Sequence, residues 1–234
     1  MNLNRFIEEL KLLNVELTQN QIDQLNQYYN LLIEYNKVMN LTGIVDKEEV
    51  YLKHFYDSVT LIKIIDLKKI ETLCDIGTGA GFPGLVLKIV FPNLKVTLLD
   101  SLNKRINFLN TVIKELNLEN IETIHARAEE YAKENIEKFA VTTARAVAHT
   151  SILLEYAIPM TKINGYFIPL KANMEEELNE ISNALKELNV ILENKIEFEL
   201  PIEKSKRSII KFKKISKTNK KYPRKYNEIK NKRL

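Results

Sequence analysis

Eight residues, Gly77-Thr78-Gly79-Ala80-Gly81-Phe82-Pro83-Gly84, hold four of the six glycines in this 234-residue chain. They follow an apolar run, Thr72-Leu73-Cys74-Asp75-Ile76, and a second run, Val96-Thr97-Leu98-Leu99, ends in Asp100. A strand ending in a glycine-dense turn lets backbone approach a ligand closely and opens a helix N-terminus beside it. A carboxylate at the end of the next strand accepts hydrogen bonds from ribose hydroxyls. A tight strand-to-helix turn alone would not need so many glycines. Asp75, Gly77, Gly79, Gly81, Phe82 and Asp100 therefore read as the site of a nucleotide-like cofactor.

The glycine spacing separates two cofactor classes. From Gly77, the dinucleotide fingerprint G-x-G-x-x-G needs glycine at 82, where Phe82 stands; from Gly79 it is met by Gly79, Gly81 and Gly84. Asp75 argues the other way. A carboxylate beneath the loop repels a pyrophosphate but suits the zwitterionic methionine end of a sulfonium joined to adenosine. The run D-x-G-x-G-x-G thus favours S-adenosylmethionine, with a nicotinamide cofactor as the alternative.

The nucleophile inventory narrows the chemistry. Methylation at cytosine C5 needs a cysteine to attack the ring, and the one cysteine, Cys74, lies inside a predicted strand. Methylation of exocyclic amines commonly uses an Asn/Asp-Pro-Pro-Tyr/Phe loop after the fourth strand, where Thr142-Thr143-Ala144-Arg145-Ala146-Val147 stands. A ring nitrogen with a free lone pair needs no general base, only a methyl group held in line. His54 and Asp57, three apart on a predicted helix, share a face. Either they line a base pocket or Asp57 simply orients His54. His125 and His149 lack partners at metal-ligand spacing, so no metal site is expected.

These residues need elements to position them. Helical periodicity fills the first forty residues, with Thr18-Gln19-Asn20-Gln21 as a capping box and a stop near Asn40-Leu41-Thr42-Gly43, where Gly43 ends the pattern. A third helix is expected over 47–64. From residue 71 the chain alternates in βα fashion, implying a parallel sheet covered on both faces. Strands are expected near 72–76, 95–99, 121–124, 139–143 and 163–170, with helices near 83–91, 102–117, 127–133, 149–158 and 173–188. Two more strand-like runs, 190–200 and 208–212, form a closing β-hairpin. That hairpin is the usual ending of an α/β, Rossmann-like, class I S-adenosylmethionine-dependent methyltransferase fold. The expected fold is therefore a mostly parallel seven-stranded sheet with a C-terminal antiparallel hairpin, preceded by an N-terminal helical cap. The expected division is a cap (1–66), a methyltransferase domain (67–216) and a basic tail (217–234), and residues 213–234 are expected to fold only in part.

Composition sets the outer bounds. Hydrophobic residues make up 45%, enough for a sizeable core. No apolar run reaches the roughly 20 residues of a membrane span, and the start of the chain does not read as a signal peptide; a cytoplasmic monomer is expected. The net charge of +4 hides a segregation. Residues 204–234 hold fourteen Lys or Arg against the single acid Glu228, which makes that segment +13 and leaves −9 for residues 1–203. An acidic body with a basic end suggests a polyanionic partner.

The loop, together with Leu98-Leu99-Asp100-Ser101-Leu102-Asn103-Lys104-Arg105, Asn40-Leu41-Thr42, His54-Phe55-Tyr56-Asp57-Ser58 and Tyr222-Pro223-Arg224-Lys225, resembles the small-subunit ribosomal RNA guanine-N7 methyltransferases, also called glucose-inhibited division protein B. The likeness covers nearly the whole chain. It implies methyl transfer from S-adenosylmethionine to N7 of a guanine in the decoding-region loop of 16S rRNA, free or in the small ribosomal subunit. It also implies that Arg145 belongs to the cofactor site and that Ala128 and Glu129 lie beside the adenine, although Glu129 could equally be a first-turn helix acid. RNA phosphates are expected to meet Lys220, Lys221, Arg224 and Lys225 of the tail, with Lys53, Lys104 and Arg105 near the cleft. Tyr222 and Tyr226 among these cations permit base stacking as well. Two alternatives stay open: a noncatalytic RNA-binding protein with a degenerate cofactor fold, and a nicotinamide-dependent oxidoreductase.

Overall fold

A computed structural model describes residues 1–145, 148–172 and 174–234. Ala146 and Val147, after the fourth strand, and Asn173, at the start of the expected 173–188 helix, lie outside the described residues.

Helix α1 (Leu3–Leu12) starts at Asn2, whose side chain accepts from the Arg5 amide, and α2 (Gln19–Met39) opens on the capping box between Thr18 and Gln21. Gln21 also ties the cap to the sheet domain: its Nε2 donates to the carbonyls of Ile89 and Val90 at 2.8 and 3.0 Å. α2 stops at Asn40, within the expected 40–43 stretch, because Asn40 adopts the left-handed conformation that asparagine tolerates. The expected 47–64 helix is continuous to Lys63 but not uniform. It comprises α3 (Lys47–Val50), a π-helical turn (Tyr51–Tyr56), α4 (Asp57–Val59) and a 3-10 turn (Thr60–Lys63). Wide π turns recur at functional sites, and this one carries His54.

The βα alternation is as expected: β1 (Thr72–Ile76), α5 (Gly84–Val90), β2 (Lys95–Asp100), α6 (Asn103–Glu115), β3 (Ile121–His125), α7 (Ala128–Glu134), β4 (Phe139–Arg145), α8 (Thr150–Met160) and β5 (Thr161–Lys171). The charged helix divides at the buried Ile181 into α9 (Glu175–Glu180) and α10 (Ser182–Glu187). The hairpin β6 (Val190–Glu199) and β7 (Lys206–Lys214) pairs antiparallel to β5 and completes a sheet of order β3-β2-β1-β4-β5-β7-β6. β1 and β2 are buried beyond their first residues, as near-continuous apolar strands of a parallel sheet should be. Because β1 pairs with β2 on one side and β4 on the other, chain direction across the sheet reverses there and leaves a crevice at the carboxyl ends.

Two cores cover the sheet. One joins cap residues such as Phe6, Tyr28 and Phe55 to Leu85, Leu98 and Phe108, so cap and sheet share one interior. The other joins Leu154, Ile158 and Phe167 to Phe212 and Tyr222. No helix among the described residues is long and apolar enough to cross a membrane.

The expectation for 213–234 is corrected. Lys214 ends β7 fully buried, its ammonium donating to the Ile158 and Thr161 carbonyls and paired with Glu137. Tyr222 is buried, its hydroxyl donating to Glu187, and a last helix, α11 (Tyr226–Asn231), buries Ile229. A run rich in Lys and Asn hides these anchors because only three or four side chains point inward.

Candidate cofactor cleft

Past Ile76 the chain turns through Gly77, Gly79 and Gly81 with φ of 69°, 63° and 105°, angles that L side chains rarely adopt. Gly84 is required for space instead: a Cβ there would stand 2.5 Å from Leu98 Cδ2 and 2.8 Å from Asp75 Cβ. The cap grips the loop from above, where the Tyr28 hydroxyl donates to the Ala80 carbonyl. Asp75 grips it from below. Its Oδ2 accepts from Thr78 Oγ1 at 2.7 Å and from the Gly84 amide at 2.8 Å, while its buried Oδ1 has no partner. Burial pushes this carboxyl up to about 6, against the two hydrogen bonds. At the end of β2, Asp100 Oδ2 accepts from the Gly79 amide at 2.9 Å and from Arg105 Nη1 at 3.2 Å, and Oδ1 accepts from the Leu102 amide at 2.9 Å.

Two cavities meet over this loop. One, about 430 Å³, is lined by Thr42, His54, Phe82, Arg105 and Arg145 with the loop itself. The other, about 350 Å³, is lined by Ala126, Ala128, Glu129, Tyr156, Tyr226 and Lys230, among others. They share Gly77, Asp100 and Ser101, so an elongated ligand could lie across both. In the second cavity Glu129 is buried and its Oε1 has no hydrogen-bond partner. A buried carboxylate oxygen without a donor is costly, and an adenine amine would supply one. The donor set therefore fits S-adenosylmethionine: an acceptor for the adenine edge, a carboxylate for the ribose, and a left-handed backbone loop between the cavities.

At the first cavity the two upstream motifs converge on β4. Arg145 Nη1 donates to Asp57 Oδ2 and Nη2 lies against His54 Nδ1, both at 3.2 Å. His54 Nε2 lies 2.8 Å from Thr42 Oγ1. His54 Nδ1 thus stands at 3.2 Å both from Arg145 Nη2, which can only donate, and from the Lys53 carbonyl, which can only accept. Burial, reinforced by the Arg145 charge, lowers His54 to about 3, so the ring is neutral. Phe82 is the floor of the cluster: the His54 ring stacks on it at 4.4 Å and the Arg145 guanidinium sits over it at 5.0 Å. Asp57 is held from behind by Arg207 of β7, Nε to Oδ1 2.7 Å.

The sequence-predicted residues thus gather here: Asp75, Gly77, Gly79, Gly81, Phe82 and Asp100 at the loop, Ala128 and Glu129 in the second cavity, His54, Asp57 and Arg145 at the first. The RNA set is more dispersed. Lys53 is paired with Glu49 and Glu203, Arg105 with Asp100, and Lys221 with Glu187. Arg224 is also a structural anchor, its amide and guanidinium all bound to the fully buried Glu155. Lys104 donates to the Met39 carbonyl, and Lys220 and Lys225 are exposed. Tyr222, read as a stacking candidate, is buried. Sequence reading missed Arg207, Arg127, Tyr226 and Lys230 as lining or supporting residues. Strand register could have found Arg207 on β7, whereas nothing local in the sequence marks Arg127, Tyr226 or Lys230 as lining a cavity.

Comparison with known proteins places these observations. A family model described as rRNA small subunit methyltransferase G matches residues 21–209. The Ribosomal RNA small subunit methyltransferase G of Lysinibacillus sphaericus is 51% identical over 229 residues, covering 96% of each chain. That of Exiguobacterium sibiricum is 50% identical over 228 residues, again covering 96% of each. Among solved structures, a SAM-dependent methyltransferase from Aquifex aeolicus superposes with a TM-score of 0.51 at 20% identity, covering 71% of this chain and 93% of that one.

Proposed function

The chain belongs to the rRNA small subunit methyltransferase G family, and from that premise we propose that it methylates N7 of a guanine in the decoding-region loop of 16S rRNA, using S-adenosylmethionine. The observation that carries the reading is the pair of cavities joined at Gly77, Asp100 and Ser101, with the buried Glu129 lining one and the His54–Phe82–Arg145 stack lining the other. When bound, S-adenosylmethionine supplies a methyl group on a sulfonium. Asp100 would hold the ribose, Glu129 the adenine amine, and the 77–84 loop the methionine end. The guanine N7 lone pair has no proton to remove, so the site's task is to place the base and exclude water. Phe82, neutral His54 and Arg145 provide flat faces and a fixed cation for that placement. The family membership favours neither alternative reading.

The partner that family membership implies is small-subunit rRNA. We extend this to a monomer acting in the cytoplasm, built as a cap (1–66), a catalytic unit (67–216) and a basic segment (217–234), with exposed Lys104, Lys220 and Lys225 meeting phosphates and Lys53, Arg105 and Lys221 exchanging carboxylate partners for them. The test is incubation with S-adenosylmethionine and either small ribosomal subunits or protein-free 16S rRNA, followed by nucleoside analysis. Formation of 7-methylguanosine with stoichiometric S-adenosylhomocysteine is expected. Methylated adenosine or cytidine instead, or calorimetric binding of NAD but not S-adenosylhomocysteine, contradicts the reading.

A further inference from the structure

The family match ends at residue 209, yet two residues beyond it, Tyr226 and Lys230, line the cavity that holds Ala128 and Glu129. Their position is fixed. Two residues before Tyr226, Arg224 is clamped to the buried Glu155 by its amide and by both ends of its guanidinium at 2.7 to 2.9 Å. Three residues after it, Ile229 is 1% exposed. Tyr226 is 40% exposed, with the Arg127 guanidinium over its ring at 4.8 Å to the centroid. Arg127 in turn lies 3.9 Å from the Glu129 carboxylate and precedes Ala128. An aromatic side chain at a cavity wall, beside a buried acid whose Oε1 accepts no hydrogen bond, suits a flat heterocycle that carries an amine. The acid takes the amine and the ring covers the face.

We propose that the C-terminal helix α11 is the outer wall of the adenine compartment and that Tyr226 presents its ring to the adenine of S-adenosylmethionine. This rests on the reading of the cleft given above. Under it the C-terminal segment belongs to the cofactor site as well as to the RNA-facing surface.

S-adenosylhomocysteine binding to the full-length protein tests it by calorimetry, with Tyr226→Phe, Tyr226→Leu and a chain ending at residue 225. Base–aromatic stacking typically accounts for about tenfold in affinity. Tyr226→Phe should bind within about twofold of the unmodified chain, and Tyr226→Leu and the shortened chain roughly tenfold more weakly. In the unmodified chain, nuclear Overhauser contacts between adenine H2 or H8 and the Tyr226 ring are expected in the complex. Those contacts do not follow from a merely structural role and do not depend on how the variants fold. Leu and truncated chains binding like the unmodified one, or a complex without the Tyr226–adenine contact, overturns the proposal. Failure of the unmodified chain to bind S-adenosylhomocysteine would overturn the functional reading instead.

Discussion

Asp75 sits fully buried beneath the glycine loop, with Oδ2 between two donors and Oδ1 without one. The carboxylate therefore shapes the turn that receives the ligand. Burial raises its folded value from 3.8 to about 6. A group raised on folding contributes its full stability below the unfolded value and loses it as pH climbs through the folded one. At roughly 1.4 kcal/mol per unit, the loss between pH 4 and 6 is about 3 kcal/mol at most. Asp75→Asn keeps the acceptor and removes the charge. Urea unfolding should therefore show the variant gaining on the unmodified chain as pH rises from 4 to 6, and a difference independent of pH would refute this. His54 titrates with the opposite sign: lowered to about 3, it weakens the fold as pH falls below about 6.5. That slope is common to both chains and cancels in the comparison. Sequence alone placed Asp75, Asp100 and the glycines, because backbone conformation and strand ends dictate residue type there. It left His54 and Asp57 between two roles, since their common partner Arg145 is 91 and 88 residues away along the chain.

The elements that build and brace the first cavity come from distant parts of the chain: the π turn of Tyr51–Tyr56 and the end of β4 line it, and the start of β7 supports them from behind. Arg207 of β7 links them through Asp57 to Arg145. Its side-chain hydrogen bonds run to Asp57, Ser205 and Lys206, so it acts on Arg145 through Asp57 as a positioning residue. Arg207→Ala leaves a buried carboxylate oxygen short of a donor, at a cost of about 1–3 kcal/mol in stability. Arg145 is then free to shift, and small misplacements at a reacting centre reduce rates by an order of magnitude or more. The expected result is a methyl-transfer kcat lower by about tenfold with S-adenosylhomocysteine affinity within threefold, partly restored in Arg207→Lys. An unchanged kcat, or an affinity loss that matches the rate loss, would contradict it. The βα alternation and the closing hairpin were legible because hydrophobic period and turn residues are local. The π turn, the division at Ile181 and the Asp57–Arg207 pairing were not, because each is decided by what lies across the interior.

For the molecule as a whole, charge segregation survives folding but changes meaning. Fourteen cations lie in the last thirty-one residues, yet Lys214 and Arg224 are structural anchors and Lys221 is paired. What remains exposed lies on a folded surface whose last helix borders the cofactor cleft. Cap, sheet and C-terminal helix thus converge on one crevice at the carboxyl edge, and the family places small-subunit rRNA as its partner. The most direct measurement is mass-spectrometric mapping of 16S rRNA from cells with and without this gene. One 7-methylguanosine in the decoding-region loop should disappear on deletion and return with the intact chain, but not with Asp100→Ala. An unchanged methylation map on deletion would contradict the account.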